Sequence, residues 1–317
     1  MEISDISALI ADEMKKVEVE FERNLSSEVE LIPVIGRYVL SGGGKRIRPL
    51  LLILSARVAG YTGESMVPLA AIMEFIHTAT LLHDDVVDSA TIRRGRDSAN
   101  KVWGNEASVL VGDYLFSKSF SLMTTHGDMR ILRAVSDATT QMAEGEVLQL
   151  INTCDVDILE TEYLEVVVSK TAVLLAVACE VGGMLGGLEA GPISELRAFG
   201  MELGIAFQLI DDCLDYVADQ DEFGKALGSD LEEGKITMPL IQVLKKCDAT
   251  ERERMIEIVE EEKLTDEGLE FVLGLIDKYD GIGAARQKAL DRVEAAKSHL
   301  VGFEDSLEKQ ALMKLAD

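Results

Sequence analysis

Very little in this sequence can interrupt a helix. Five prolines occur in 317 residues (Pro33, Pro49, Pro68, Pro192 and Pro239), none of them inside a long periodic stretch. Aromatics make up 5%, and no run alternates apolar and polar residues with the period of a strand, which argues against a sandwich or barrel. Basic residues are scarce: 31 Lys and Arg stand against 57 Asp and Glu, a net charge of -26, which excludes nucleic-acid binding through a general basic surface. The four cysteines (Cys154, Cys179, Cys213, Cys247) are far apart and form no CxxC pair, so reduced thiols in a cytoplasmic protein are the simplest expectation. No stretch reads as an integral membrane segment, since even the run from Leu164 to Leu188 is broken by Glu165, Lys170 and Glu180. The amphipathic N-terminus lacks the apolar region of a signal peptide.

What is abundant is helical apolar spacing within a chain that is 47% hydrophobic. The periodicity predicts helices over 3–24, 28–41, 50–59, 66–89, 107–125, 129–152, 160–185 and 193–219, then four or five shorter ones to the C-terminus. Residues 220–235 read as a polar mobile loop, and no linker divides the chain. One all-α domain over 1–317 is expected.

Two short segments stand out: Asp84-Asp85-Val86-Val87-Asp88 and Asp211-Asp212-Cys213-Leu214-Asp215. Aspartates at i, i+1 and i+4 put the first and last one turn apart on one helix face. Leu82 and Val86 fall about 200° from Asp84 at roughly 100° per residue and can bury. The helix dipole disfavours such acidity near a C-terminus, a cost that points to function. Two faces of this kind, brought together, repel unless a cation intervenes, and Mg²⁺, which takes one or two carboxylates and fills its shell with water and phosphate oxygen, suits them. Six carboxylates can hold about three Mg²⁺, and the pair would then accept a diphosphate.

Basic residues cluster in two places near these acids. Gly42-Gly43-Gly44 precedes Lys45, Arg46 and Arg48 at the expected start of a helix, where backbone amides favour anions; three cations in four positions of an acidic chain point to a phosphate site rather than a plain flexible turn. Arg93-Arg94-Gly95-Arg96 follows the first aspartates in an expected loop, placed either as solvated surface or to meet the same anion as a metal. Lys170 and Thr171 lie mid-helix among apolar residues, where a lysine can also simply snorkel. Gln208 shares the face of Asp211 and Asp212. The apolar helices beyond the aspartates suit a substrate whose other half is hydrocarbon.

Six segments in order, GGGKRIRP (42–49), LLHDDVVDSATIRRGR (81–96), GNEASVLVGDYL (104–115), KTA (170–172), FQLIDDCLD (207–215) and GSDLEEGKITMPL (228–240), resemble the trans-isoprenyl diphosphate synthases, or polyprenyl synthetases. The run EFIHTATLLHDDVVD is similar to that of long-chain, octaprenyl-type members. The resemblance implies an isoprenoid synthase-type helical bundle around a central cavity, normally a homodimer, with about three Mg²⁺ per active site. It implies Asp84, Asp88 and Asp211 as principal metal ligands, with Asp85, Asp212 and Asp215 in direct or water-mediated support. Arg93, Lys170, Lys225 and Lys235 would hold the diphosphate of an allylic substrate, farnesyl or geranylgeranyl diphosphate, with Thr171 and Gln208 beside it. Lys45, Arg48, His77 and Arg94 would hold isopentenyl diphosphate. The sequence departs from many relatives at Ser229, where they carry an acidic residue, while Asp230 is kept.

In this family bulky aromatics four or five residues before the first aspartates shorten the product. Ala79 and Thr80 are small, which implies an open tunnel and a product of about C40, although small residues also serve close packing. A farnesyl or geranylgeranyl diphosphate synthase would place aromatics there. A terpene cyclase would lack GGGKRIRP, and a non-catalytic subunit of a heteromeric synthase would carry degraded aspartate motifs.

Overall fold

A computed structural model of the chain describes residues 3–217, 227–261 and 263–317. It is 76% helical. The helices in chain order are α1 (Ile3–Leu9), α2 (Ala11–Leu25), α3 (Leu31–Ser41), α4 (Ile47–Val58), α5 (Met66–Val87), α6 (Ala99–Trp103), α7 (Asn105–His126), α8 (Met129–Ile151), α9 (Glu160–Val167), α10 (Val173–Leu185) and α11 (Ala190–Leu214). Six further helices follow among the described residues: Ser229–Glu232, Met238–Leu244, Ala249–Glu260, Asp266–Lys278, Gly281–His299 and Leu307–Ala316. Every proline falls at the second or third position of a helix, in the first turn, where the missing N–H has no intrahelical partner to lose.

The expected elements differ from this in four instructive places. The N-terminal helix divides at Ile10, whose side chain is fully buried. The expected loop at 92–97 is a small antiparallel hairpin, Ile92–Arg93 with Arg96–Asp97, turning through Arg94 (φ 53°) and Gly95 (φ 72°). Successive positive φ angles are what a tight two-residue hairpin turn requires. The long helix at 160–185 contains a wide π turn, Val168–Ala172, between α9 and α10. Finally, α5 is long and apolar enough to cross a membrane by length and composition, contrary to expectation, but 72% of its most apolar window is buried.

Contacts group the chain into two compact units, one of Met1–Thr140, Leu174–Met201 and Ala296–Asp317, the other of Gln141–Val173 and Glu202–Ala295. The first is built around α5, which packs on α2, α4 and α7. Consecutive residues Pro49 to Ala56 of α4 are all buried, the mark of a helix enclosed on every side. Its neighbour α10 approaches through glycine: a Cβ on Gly182 would stand 2.6 Å from Ser55 Cβ, and one on Gly186 would stand 2.2 Å from Ala59 Cβ. Gly182 and Gly186 are therefore packing residues, with Gly187 (φ 69°) past the helix end.

The second unit is held by ion pairs as well as apolar burial. Glu160, at the start of α9, accepts from Lys245 (2.5 Å), Lys288 (2.6 Å) and Gln242 (3.2 Å). Burial works to raise its carboxyl, but hydrogen bonds from Lys245, Lys288 and Gln242 prevail and bring it down to about 2. A depressed folded-state value adds stability that is present above the ordinary glutamate value of 4.5 and lost as pH falls toward 2. Glu160→Gln should therefore destabilise the protein by about 1–2 kcal/mol at neutral pH, discounted for partial solvent screening. In urea unfolding the gap from wild type should close between about pH 5 and pH 2; a gap independent of pH would contradict this account.

Candidate active site

Each aspartate motif sits at the end of a long helix, and each spends its middle carboxylate on the protein. Residue i+1 lies about 100° around the helix from residue i, which turns it from the open face toward the core. On α5 the outer Asp84 and Asp88 are half-buried, whereas Asp85 is 2% exposed. Arg93, from the hairpin, donates Nε–H to Asp85 Oδ1 at 2.7 Å with a second nitrogen at 2.5 Å, and Asn100 Nδ2 donates to the Asp85 carbonyl at 2.9 Å. Leu82 is fully buried, as the helical phase predicts, and Val86 is half-buried.

At the second motif Asp211 is exposed and Asp212 is 3% exposed. Tyr163 Oη donates to Asp212 Oδ2 in a short hydrogen bond, and Gln208 Nε2 donates to Oδ1 at 2.8 Å. Burial pushes the Asp212 carboxyl up to about 6, opposed by those two donors. Asp215 accepts from Ser229 Oγ (2.7 Å) and from the Asp230 amide (3.1 Å). The sequence's departure at position 229 thus supplies a neutral donor to the last aspartate, where another acid would repel it.

The cations form a compact group in the first unit. Arg46 takes the left-handed region (φ 48°) just before α4 and is fixed by Glu74 (2.8 Å), Glu18 (3.2 Å) and the Leu40 carbonyl (2.8 Å), 5.1 Å over the Phe21 ring. It is a structural strut and not a free cation. Arg94 reaches back to the glycine loop so closely that a Cβ on Gly44 would stand 2.9 Å from its guanidinium. Arg48 points inward: its Nε is buried with no hydrogen-bond partner among the described residues, and burial lowers its pKa to about 10, with Glu74 and Arg94 acting in opposite senses. It stays protonated at neutral pH. His77 lies on α5 one and two turns before Thr80 and Asp84, on the same face. Burial, then the fields of Arg48, Arg94, Arg93 and Arg46, hold its imidazole well below the usual range and therefore neutral. Clustered cations, one of them with a buried unsatisfied donor, fit an anion, with a neutral imidazole as hydrogen-bond partner. Lys45 is exposed at the rim of this loop.

In the second unit the wide turn presents Lys170 and Thr171. Lys170 Nζ pairs with Glu146 at 2.8 Å, and Thr171 Oγ1 donates to Gln208 Oε1 at 2.8 Å. Lys235 pairs with Glu233 on its own loop. Lys225 lies outside the described residues. Sequence reasoning missed Glu74, Glu146 and Tyr163, which no spacing links to their partners; Gln208 and Asp212 at i, i+4 was the one legible pair. Of the two positions before the first aspartates, Thr80 is half-buried with its hydroxyl on the His77 carbonyl (2.8 Å), whereas Ala79 is fully enclosed.

The donor set at both motifs is carboxylate oxygen, which fits a hard divalent cation such as Mg²⁺. Among the described residues no three acidic, histidine or cysteine side chains converge as a preformed cage. Mg²⁺ does not need one, because it is commonly held by one or two carboxylates together with water and phosphate oxygen.

Residues 29–276 match the family model of the polyprenyl synthetases. Octaprenyl diphosphate synthase of Escherichia coli is 43% identical over 316 residues, which is 100% of this chain and 98% of that protein. The crystal structure of a decaprenyl diphosphate synthase from Rhodobacter capsulatus superposes with a TM-score of 0.95 at 42% identity, covering 100% and 98% of the two chains. That of a polyprenyl synthase from Caulobacter crescentus, complexed with calcium and isoprenyl diphosphate, does so at 0.96 and 37% identity over 99% and 96%.

The cation group makes a prediction of its own. Calorimetric titration with pyrophosphate in the absence of divalent ions should show Arg48→Ala binding about tenfold or more weakly, the loss of a charged hydrogen bond worth about 1.5–3 kcal/mol. His77→Gln, which keeps a neutral donor, should stay within about threefold. Equal losses would mean that the imidazole is charged.

Proposed function

The chain belongs to the polyprenyl synthetase family and is a trans-prenyltransferase making long-chain polyprenyl diphosphates, and we propose that it extends farnesyl or geranylgeranyl diphosphate with isopentenyl diphosphate to an octaprenyl product of about C40. Its fold is the all-α isoprenoid synthase fold. The observation that carries the reading is the cation group of Arg48 and Arg94 beside neutral His77, with the Arg48 Nε buried and unsatisfied among the described residues: it suits a second diphosphate, which a one-substrate cyclase has no use for. The family match at 29–276 runs through residues of both units, which supports one functional domain.

Asp84, Asp88, Asp211 and Asp215, backed by Asp85 and Asp212, would hold Mg²⁺, about three ions per site. When bound, the metal neutralises charge on the departing diphosphate. Lys170, Arg93, Lys225 and Lys235 bind that diphosphate, which takes the place of Glu146 at Lys170; Thr171 and Gln208 orient it. Lys45, Arg48, Arg94 and His77 hold isopentenyl diphosphate with its double bond toward the allylic carbon. The allylic C–O bond breaks with its electron pair leaving on diphosphate, and the double bond of isopentenyl diphosphate attacks the allylic cation. A proton then passes to the released diphosphate, the nearest strong acceptor in a site whose motifs supply no base. One five-carbon unit has been added, and the cycle repeats.

Free cysteines at all four described positions support a cytoplasmic setting. Exposed Val147, Leu150 and Ile151, at helical spacing on α8, support a homodimer by leaving an apolar stripe to be covered.

The chain-length reading is tested on α5. Incubation of the purified protein with farnesyl diphosphate, isopentenyl diphosphate and Mg²⁺, followed by dephosphorylation and reversed-phase chromatography, should give mainly the octaprenyl alcohol. Thr80→Phe, on the open face one turn from Asp84, should shorten the product. Ala79→Phe should shorten it too, with a stability loss of about 1–3 kcal/mol because the position is enclosed. An unchanged distribution in both variants would sink the tunnel argument.

A further inference from the structure

The aspartate and lysine motifs leave the buried phenol of Tyr163 unexplained. Tyr163, on α9 seven residues before Lys170, is 6% exposed and donates its hydroxyl to Asp212 Oδ2. The other oxygen of that carboxylate accepts from Gln208 Nε2 (2.8 Å), and Gln208 Oε1 in turn accepts from Thr171 Oγ1 (2.8 Å). The sequence Thr171 to Gln208 to Asp212 runs in one polarity, because a flip of the Gln208 amide would set its NH₂ against Thr171 and its oxygen against the carboxylate.

The backbone that carries Thr171 and Lys170 is constrained from two sides. It is the wide turn Val168–Ala172, an arrangement that recurs at functional sites. From α11, a Cβ on Gly204 would stand 2.5 Å from Ala172 Cα; from α8, a Cβ on Gly145 would stand 2.6 Å from Ser169 Cβ and 3.1 Å from the Lys170 nitrogen. Only glycine lets both helices close on the turn. The turn is thus seated sideways by glycine, while Tyr163, one turn or more ahead of it, is bonded to the same α11 face that receives Thr171.

We propose that Tyr163 is a positioning residue for the allylic diphosphate: by fixing Asp212, and through it Gln208, it sets the register of α9 and the wide turn on α11, and so the direction of Lys170. The inference rests on the reading of Lys170 and Thr171 as ligands of that diphosphate. Without the hydroxyl, a buried carboxylate loses a charge-assisted donor and Gln208 loses the fixed partner that orients it.

The experiment uses the full chain with Mg²⁺ and a non-reactive farnesyl thiolodiphosphate, titrated calorimetrically, beside steady-state kinetics and thermal unfolding. Tyr163→Phe should weaken thiolodiphosphate binding and raise the allylic KM by about tenfold, about 1.4 kcal/mol, while the KM for isopentenyl diphosphate stays within about twofold. Gly145→Ala, which disturbs the turn from the other side, should show the same split if Tyr163→Phe folds poorly. A merely structural role would lower the melting temperature and the active fraction with both KM values unmoved, and that result, or an equal rise in both, would overturn the proposal. Lys170→Ala is the control for the underlying reading: if it leaves thiolodiphosphate affinity unchanged, that reading falls and the proposal with it.

Discussion

The structure depends on what each aspartate motif does with its middle member. Asp85 and Asp212 turn into the core, where a carboxylate persists only if donors meet it. Arg93 meets the first and Tyr163 with Gln208 the second. Each such bond also fixes the rotation of the helix that bears it, so the outer aspartates are presented on a defined face. The acidic motif is therefore part anchor and, under the proposed function, part ligand, and the anchor reaches other elements: the hairpin after α5 in one unit, α9 in the other.

The cations divide in the same way. Arg46 and Arg48 are two residues apart yet serve opposite ends. Arg46 is bound by Glu18 and Glu74 and holds the glycine loop against α5. Arg48 is left with a buried donor and shares its surroundings with Arg94 and an uncharged His77. Such concentration of positive charge in a chain of net charge -26 is costly without an anion, and under the proposed function a diphosphate would relieve that repulsion.

Much of this was legible in the sequence because it follows from local spacing. Helix positions, the aspartate face, the burial of Leu82 and the pairing of Gln208 with Asp212 all come from the 3.6-residue period. What was not legible is long-range or backbone-borne. Glu146 and Lys170 are brought together by packing of two helices, as are Tyr163 and Asp212, and no spacing announces either pair. The wide turn at Val168–Ala172 has a pattern that reads as ordinary helix, and the glycines that let neighbouring helices close on it, Gly145 and Gly204, lie elsewhere in the chain. The hairpin at Arg93 is too short to show alternation. Ala79 and Thr80 were read as a pair because composition cannot tell that one faces the core and the other the open face.

The central proposal is that the outer aspartates of both motifs hold the metal ions that bind the allylic diphosphate. Counting Mn²⁺ bound per chain by electron paramagnetic resonance, with farnesyl thiolodiphosphate present, tests it most directly. The account predicts about three ions for the wild type, and a lower count for Asp84→Asn and for Asp211→Asn taken separately, each with weakened thiolodiphosphate affinity. A count that stays the same when either aspartate is removed would contradict it.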